Sequence, residues 1–138
     1  MKTNSTSPTP LEGTVRPLRM LIADDSELLL SCLRDLLGAQ KHLEVVGTAA
    51  NGSEALKKAS ELKPDLVLMD LNMPIMDGLM ATDELRHRQP DTRIIIMTME
   101  DPIYAKAAAH AYGAHGFVQK ELIVRDLMPE IHRVLQLR

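Results

Sequence analysis

Aromatic residues make up only 2% of the 138-residue chain, and tryptophan is absent. So few rings exclude a stacking platform for single-stranded nucleic acid. There is one cysteine, Cys32. No disulfide can form within the chain, which fits a reducing compartment. No apolar run approaches the roughly 18 residues of a membrane span, and the N-terminus lacks the apolar centre of a secretory signal. The expectation is a cytoplasmic protein with no membrane contact. Neither sign of charge dominates. A formal net charge of −3 argues against a nucleic-acid surface driven by bulk electrostatics. The five histidines (His42, His87, His110, His115 and His132) show no HExxH spacing and no pairing with cysteine, which excludes a zinc site.

What is present suits one globular domain: 45% hydrophobic and 25% charged residues are enough to bury a real core. Residues 1–17, MKTNSTSPTPLEGTVRP, are rich in Ser, Thr and Pro with no apolar period, and read as a flexible tail. From residue 18 to 138 short continuous apolar runs alternate with longer amphipathic ones. Strands are expected over residues 18–23, 43–49, 66–70, 93–97 and 116–118. The runs LVLM and IIIM lack alternation, as in strands buried on both faces of a parallel sheet. Helices are expected over 26–37, 52–62, 78–88, 102–112 and 126–137. In the first, apolar residues at 28, 29, 32, 33, 36 and 37 recur with a period near 3.6, which places Cys32 on the buried stripe. The fourth opens with Asp101 as a cap and Pro102 at its first position. The fifth carries Pro129 in its first turn, where proline is tolerated. Nine methionines, six of them between Met69 and Met99, read as adaptable core filler.

Five strands each followed by a helix give a doubly wound α/β sheet. Ligands of such sheets bind outside the carboxyl ends of the strands, at the switch point of the strand order. Asp24 and Asp25 end the first strand and Asp70 ends the third. In a flavodoxin-like order, 2-1-3-4-5, those strands are neighbours at the switch point. Two carboxylates about 5 Å apart at an effective dielectric near 20 repel by roughly 3 kcal/mol, so a cation is expected among them. Carboxylate oxygens with no His or Cys beside them suit Mg²⁺. Thr98 follows the fourth strand and Lys120 the fifth, on the same edge. A hydroxyl donor and a fixed ammonium beside a metal can neutralise a transferring phosphoryl group, and a carboxylate can be the nucleophile that accepts it. Each residue alone has a plainer reading. Asp24 and Asp25 could cap the first helix, Asp70 could be a loop carboxylate, and Thr98 a strand-end hydroxyl. Lys120 could be solvated, and Asp77–Gly78 a turn. The combination favours the phosphoryl site.

The segments ADD (23–25), DLNMPIMDG (70–78), MTME (97–100) and YGAHGFVQK (112–120) fall in order, each at the end of an expected strand. In these the chain from Leu18 onward resembles a CheY-like response-regulator receiver domain of two-component signalling. The resemblance implies a single (βα)5 domain with sheet order 2-1-3-4-5. It implies that Asp70 accepts a phosphoryl group from a histidine kinase or phosphotransfer protein. Mg²⁺ would be held by Asp25, Asp70 and the backbone carbonyl of Asn72, with Asp24 acting through water. Thr98 would hydrogen-bond the phosphoryl group and Lys120 ion-pair with it. Phe117 occupies the aromatic switch position. It would swing inward with Thr98 and reshape the face of the fourth helix, fifth strand and fifth helix, through which a partner or a homodimer could dock. Phe117 as plain core predicts the same residue.

Three positions depart from the family pattern: Met99, Phe117, which replaces a tyrosine often found there, and Glu121. Met99 stands where a small residue is usual and would crowd the mouth of the site. Asn72 and Glu100 sit where attack by water on the phosphoryl group is tuned. Glu121 replaces a proline common after the lysine, as in receivers that carry helix-turn-helix output domains. The reading adopted is a signalling module rather than an enzyme, standing alone and acting on a downstream protein. The alternatives are a receiver excised from a DNA-binding regulator, whose DNA contacts lie in a missing domain, and a Mg²⁺-dependent aspartyl phosphotransferase or phosphatase. The last is disfavoured because Asn72 replaces the second acid of an Asp-x-Asp pair. A flavodoxin-like cofactor binder is disfavoured because ADDSE would repel phosphate.

Overall fold

The computed structural model describes residues 16–136. Residues 1–15 of the expected tail, and the last residue of the expected fifth helix, lie outside them. The elements run β1 (Leu18–Ala23), α1 (Glu27–Gly38), β2 (Leu43–Ala49), α2 (Gly52–Leu62), β3 (Leu66–Asp70), α3 (Gly78–Arg88), β4 (Arg93–Thr98), α4 (Pro102–Ala111), β5 (Gly116–Gln119), a 3-10 turn (Lys120–Leu122) and α5 (Ile123–Leu135). All strand pairs are parallel and the order is β2-β1-β3-β4-β5. No helix among the described residues is long and apolar enough to cross a membrane.

The strand alternation of period two splits the core into two layers. Met20, Ile22, Leu66, Leu68, Ile95 and Met97 face α1 and α5. Leu21, Val67, Met69, Ile94 and Ile96 face α2, α3 and α4. Burial on both faces explains why these strands read as unbroken apolar runs. The two layers are unequal. The first is closed by Leu30, Leu33 and Leu37 of α1 and by Ile123, Leu127, Ile131 and Val134 of α5. On the other side α4 buries only Ala105 and Ala109. At roughly 0.8 kcal/mol per buried carbon, two alanines hold a helix far less firmly than four large aliphatics.

The helix starts follow local chemistry where a cap exists. Ser26, Asn51, Asp77 and Asp101 each accept a hydrogen bond from a first-turn N–H, which satisfies an otherwise orphaned donor. The fifth helix has no side-chain cap. It begins at Ile123 rather than at residue 126, because β5 runs straight into the 3-10 turn and that turn leads into the helix. Pro129 is therefore in the helix interior, not the first turn. It lies on the exposed side, where solvent can serve the carbonyl its missing N–H leaves free.

The buried stripe of α1 also differs from expectation. Leu30, Leu33 and Leu37 are buried, whereas Leu28 is 76% exposed and Cys32 is exposed. Leu28, Leu29 and Leu30 are consecutive, so the sequence leaves the face ambiguous. Spacing to Leu33 and Leu37 settles it around Leu30. The methionines divide as well. Met69 and Met97 are fully buried, but Met80 and Met99 are 54% and 62% exposed.

Candidate functional site

The carboxyl ends of β1, β3 and β5 bring the charged candidates together. Asp24 and Asp25 follow β1 directly, Asp70 is the last residue of β3, and Lys120 follows β5. Since β1 and β3 are neighbours, one carboxylate oxygen from each of Asp24, Asp25 and Asp70 lies within 4.8 Å of the others. Asp24 and Asp70 are buried and Asp25 is exposed. The Lys120 ammonium stands 2.7 Å from Asp24 Oδ2 and 3.2 Å from Asp70 Oδ2.

Local backbone fixes these groups. Asp24 Oδ1 accepts the Ser26 N–H at 2.8 Å, which aims the other oxygen into the site. That oxygen, Oδ2, is buried and has no well-angled hydrogen bond, so the adjacent ammonium is what offsets its charge. The turn after β3 is drawn back on itself, with the Gly78 N–H donating to the Leu71 carbonyl at 2.8 Å. A Cβ at Gly78 would stand 2.1 Å from the Asp70 carbonyl oxygen. Only glycine permits so close an approach behind the carboxylate.

The electrostatics follow from burial. The Asp70 carboxyl is pushed up to about 6, by burial first and by the Asp24 charge second, with Lys120 pulling the other way. Burial acts to lower the Lys120 ammonium, but the Asp24 and Asp70 carboxylates outweigh it and hold the lysine above its ordinary value. When all are ionised, three carboxylates face one ammonium, an excess of two negative charges. A divalent cation with a preference for hard oxygen donors fits that excess and that donor set. Mg²⁺ therefore suits the residues present.

Of the remaining candidates, Asn72 touches this cluster, its backbone N–H donating to Asp70 Oδ1 at 3.4 Å. Thr98 ends β4, is fully buried, and its hydroxyl accepts the Glu100 N–H at 3.0 Å. Phe117 is half-buried against the layer that includes Ala105 and Ala109. Met99 is exposed. The side chains of Asn72 and Glu100 hydrogen-bond each other, so the loops after β3 and β4 are joined across the edge that carries Asp70. Sequence reasoning gave those two residues a shared role but did not predict the bond between them. It also missed a third feature of this edge, Ile75, which holds φ at 69° and is 85% exposed. Nothing in the run MPIMDG signals a left-handed residue at a β-branched position.

A parallel sheet of this order, with acids at its switch point and a lysine at the end of the last strand, defines a class of phosphoryl-site α/β domains. The family description that matches is the response regulator receiver domain, over residues 20–132, and the chain belongs to that family. Among similar proteins, the protein-glutamate methylesterase/protein-glutamine glutaminase of Caldanaerobacter subterraneus is 39% identical over 122 residues, which cover 84% of this chain and 33% of that protein. The nitrate/nitrite response regulator NarL of Escherichia coli is 33% identical over 117 residues, covering 85% of this chain and 54% of NarL. The chain thus spans about half or a third of the length of these relatives. The response regulator domain of Thermotoga maritima CheB superposes with a TM-score of 0.83 at 30% identity, covering 89% of this chain and 99% of that domain.

Proposed function

We propose that this receiver domain accepts a phosphoryl group on Asp70 from the phosphohistidine of a histidine kinase or phosphotransfer protein, and signals by a change of its α4–β5–α5 face. An Asp70 oxygen attacks phosphorus, the P–N bond breaks, and the imidazole leaves with its electron pair and takes up a proton. The observation that carries the reading is the Lys120 ammonium wedged between Asp24 and Asp70. It holds one positive charge fixed where three phosphoryl oxygens would need it. Asp25, Asp70 and the Asn72 carbonyl would hold Mg²⁺, with Asp24 acting through water. That ion supplies charge neutralisation for the incoming anionic group. Ionised Asp70 is the nucleophile, so a cation that favours its charged form also prepares it for attack.

Thr98 would donate its hydroxyl proton to a phosphoryl oxygen. This gives the phosphorylated protein a reason to prefer one conformation over the other. Phe117 would respond to that change, a reading supported by its packing on the thinly held α4 side. Ile103 and Tyr104 of α4 are 76% and 78% exposed, so a change there would be read directly by a partner. Asn72, Glu100 and Met99 would set how readily water reaches the phosphoryl group. The output is docking to a downstream protein. DNA contact would come through a further domain of the kind that longer relatives have room for. The test is intact mass after incubation with a small phosphodonor and Mg²⁺. A gain of one phosphoryl group in the wild type, absent in Asp70→Asn and after EDTA, is expected. Equal labelling of Asp70→Asn would refute the assignment.

A further inference from the structure

Both outer edges of the sheet point main-chain groups at no strand. At the start of β5 two of those groups are taken by side chains. The Phe117 N–H donates to Glu130 Oε2 at 2.8 Å, and the His115 carbonyl accepts from Arg133 Nη2 at 2.8 Å. The two side chains are also tied to each other, Arg133 Nε to Glu130 Oε1 at 2.9 Å and Nη2 to Oε2 at 2.9 Å. A residue of a parallel neighbouring strand would make the same two bonds. It would donate to the carbonyl of one residue and accept from the N–H two residues on. His115 and Phe117 stand in that relation.

Gly116, between them, makes the approach possible. A Cβ there would meet Glu130 Oε2 and Val134 Cγ2, each at 2.7 Å. The opposite edge repeats the arrangement with different residues. At β2 the Thr48 carbonyl accepts from Lys58 Nζ and the Ala50 N–H donates to Glu54 Oε1. Lys58 and Glu54 form an ion pair at 3.5 Å. There the acid is also within the helix-capping arrangement around Asn51, so β5 carries the argument and β2 repeats it.

We infer that Glu130–Arg133 at one edge, and Glu54–Lys58 at the other, are side-chain surrogates for a neighbouring strand that keep the sheet from pairing edge to edge with a second copy of this chain. An unguarded edge is a template for another strand. A surface ion pair alone contributes little. These pairs matter because they occupy the backbone groups through which pairing would occur. The inference does not depend on phosphorylation, and neither does its test.

The experiment compares the full chain with E130A/R133A, reading amide hydrogen exchange by NMR and sedimentation velocity over a range of concentrations. In the variant the Phe117 amide should exchange about tenfold faster, the weight of one hydrogen bond. Its sedimentation should shift to larger species with concentration relative to wild type. E130Q/R133K keeps an acceptor and a donor and should behave as wild type in both. Unchanged protection of Phe117 in E130A/R133A would overturn the inference. So would a deprotected Phe117 amide with sedimentation identical to wild type. Where circular dichroism shows E130A/R133A unfolded, E54A/K58A puts the same two readouts to Ala50, and the same failures would count against it.

Discussion

Replacing Asp70 with Asn should stabilise the protein at neutral pH when divalent ions are removed. The Asp70 carboxyl lies at about 6 in the folded chain, against an ordinary value of 3.8. The folded state therefore keeps its proton to higher pH than the unfolded chain does. Between those values the unfolded chain binds fewer protons, so stability falls as pH rises through the window and the full penalty is present above it. A shift of about two units at 1.36 kcal/mol each sets the penalty at roughly 3 kcal/mol. The side chain is 5% exposed, so solvent screening removes little of it. Asn keeps the shape and drops the charge, and Lys120 retains Asp24 as its partner. Urea unfolding in EDTA at pH 7.5 should show Asp70→Asn more stable by about 2–3 kcal/mol, with the difference shrinking to about a third near pH 4.5. Added Mg²⁺ should reverse the order, since binding to the folded state stabilises only the chain that holds the ion well. A variant less stable than wild type in EDTA, or a difference unaffected by pH, would refute the reasoning.

Three further outcomes are expected. Met99→Ala should speed loss of the phosphoryl group severalfold, followed as decay of the phosphorylated mass, because the exposed thioether no longer shields the site from water. His115 is depressed to about 4, by burial first and then by Arg86 and Arg93, while its Nδ1 accepts the Ile94 N–H. The unfolded chain binds more protons between about 4 and the ordinary 6.5, so the His115 contribution to stability falls as pH drops through that window, opposite in sign to the Asp70 contribution. Allowing for the ring's partial exposure, the loss is on the order of 1 kcal/mol, and His115→Gln should abolish it in urea titrations at pH 7 and 5. Ile75→Gly should raise stability by roughly 1 kcal/mol, read by thermal unfolding, since it relieves a β-branched residue at φ 69° that strain of 1–3 kcal/mol attends.

The sheet was legible because two-sided burial leaves an unambiguous mark. LVLM and IIIM have no polar break, and their order relative to the helices fixes a doubly wound sheet. The placement of Asp24, Asp25, Asp70, Thr98 and Lys120 at one edge was legible because strand ends can be located from those same runs, and strand ends share an edge. What the sequence hid depends on rotation or on contacts between distant loops. Three consecutive leucines cannot say which of them turns inward, so Leu28 and Cys32 were placed on the wrong face of α1. The fifth helix lacks a cap and hid its own start. The Asn72–Glu100 hydrogen bond spans 28 residues of chain, and the bond from Phe117 to Glu130 unites a strand residue with a helix residue that looks solvated. No periodicity encodes either.

Lys120 is both the first residue after β5 and the first of the turn that becomes α5. No residue separates Lys120 from the turn that leads into the helix. If Asp70 takes up a phosphoryl group as proposed, a pull on that nitrogen would act at the root of α5, damped only by the lysine's own methylene stem. The helix is in turn pinned to the core through Ile123, Leu127, Ile131 and Val134, so such a pull tilts a stiff body rather than fraying a loop.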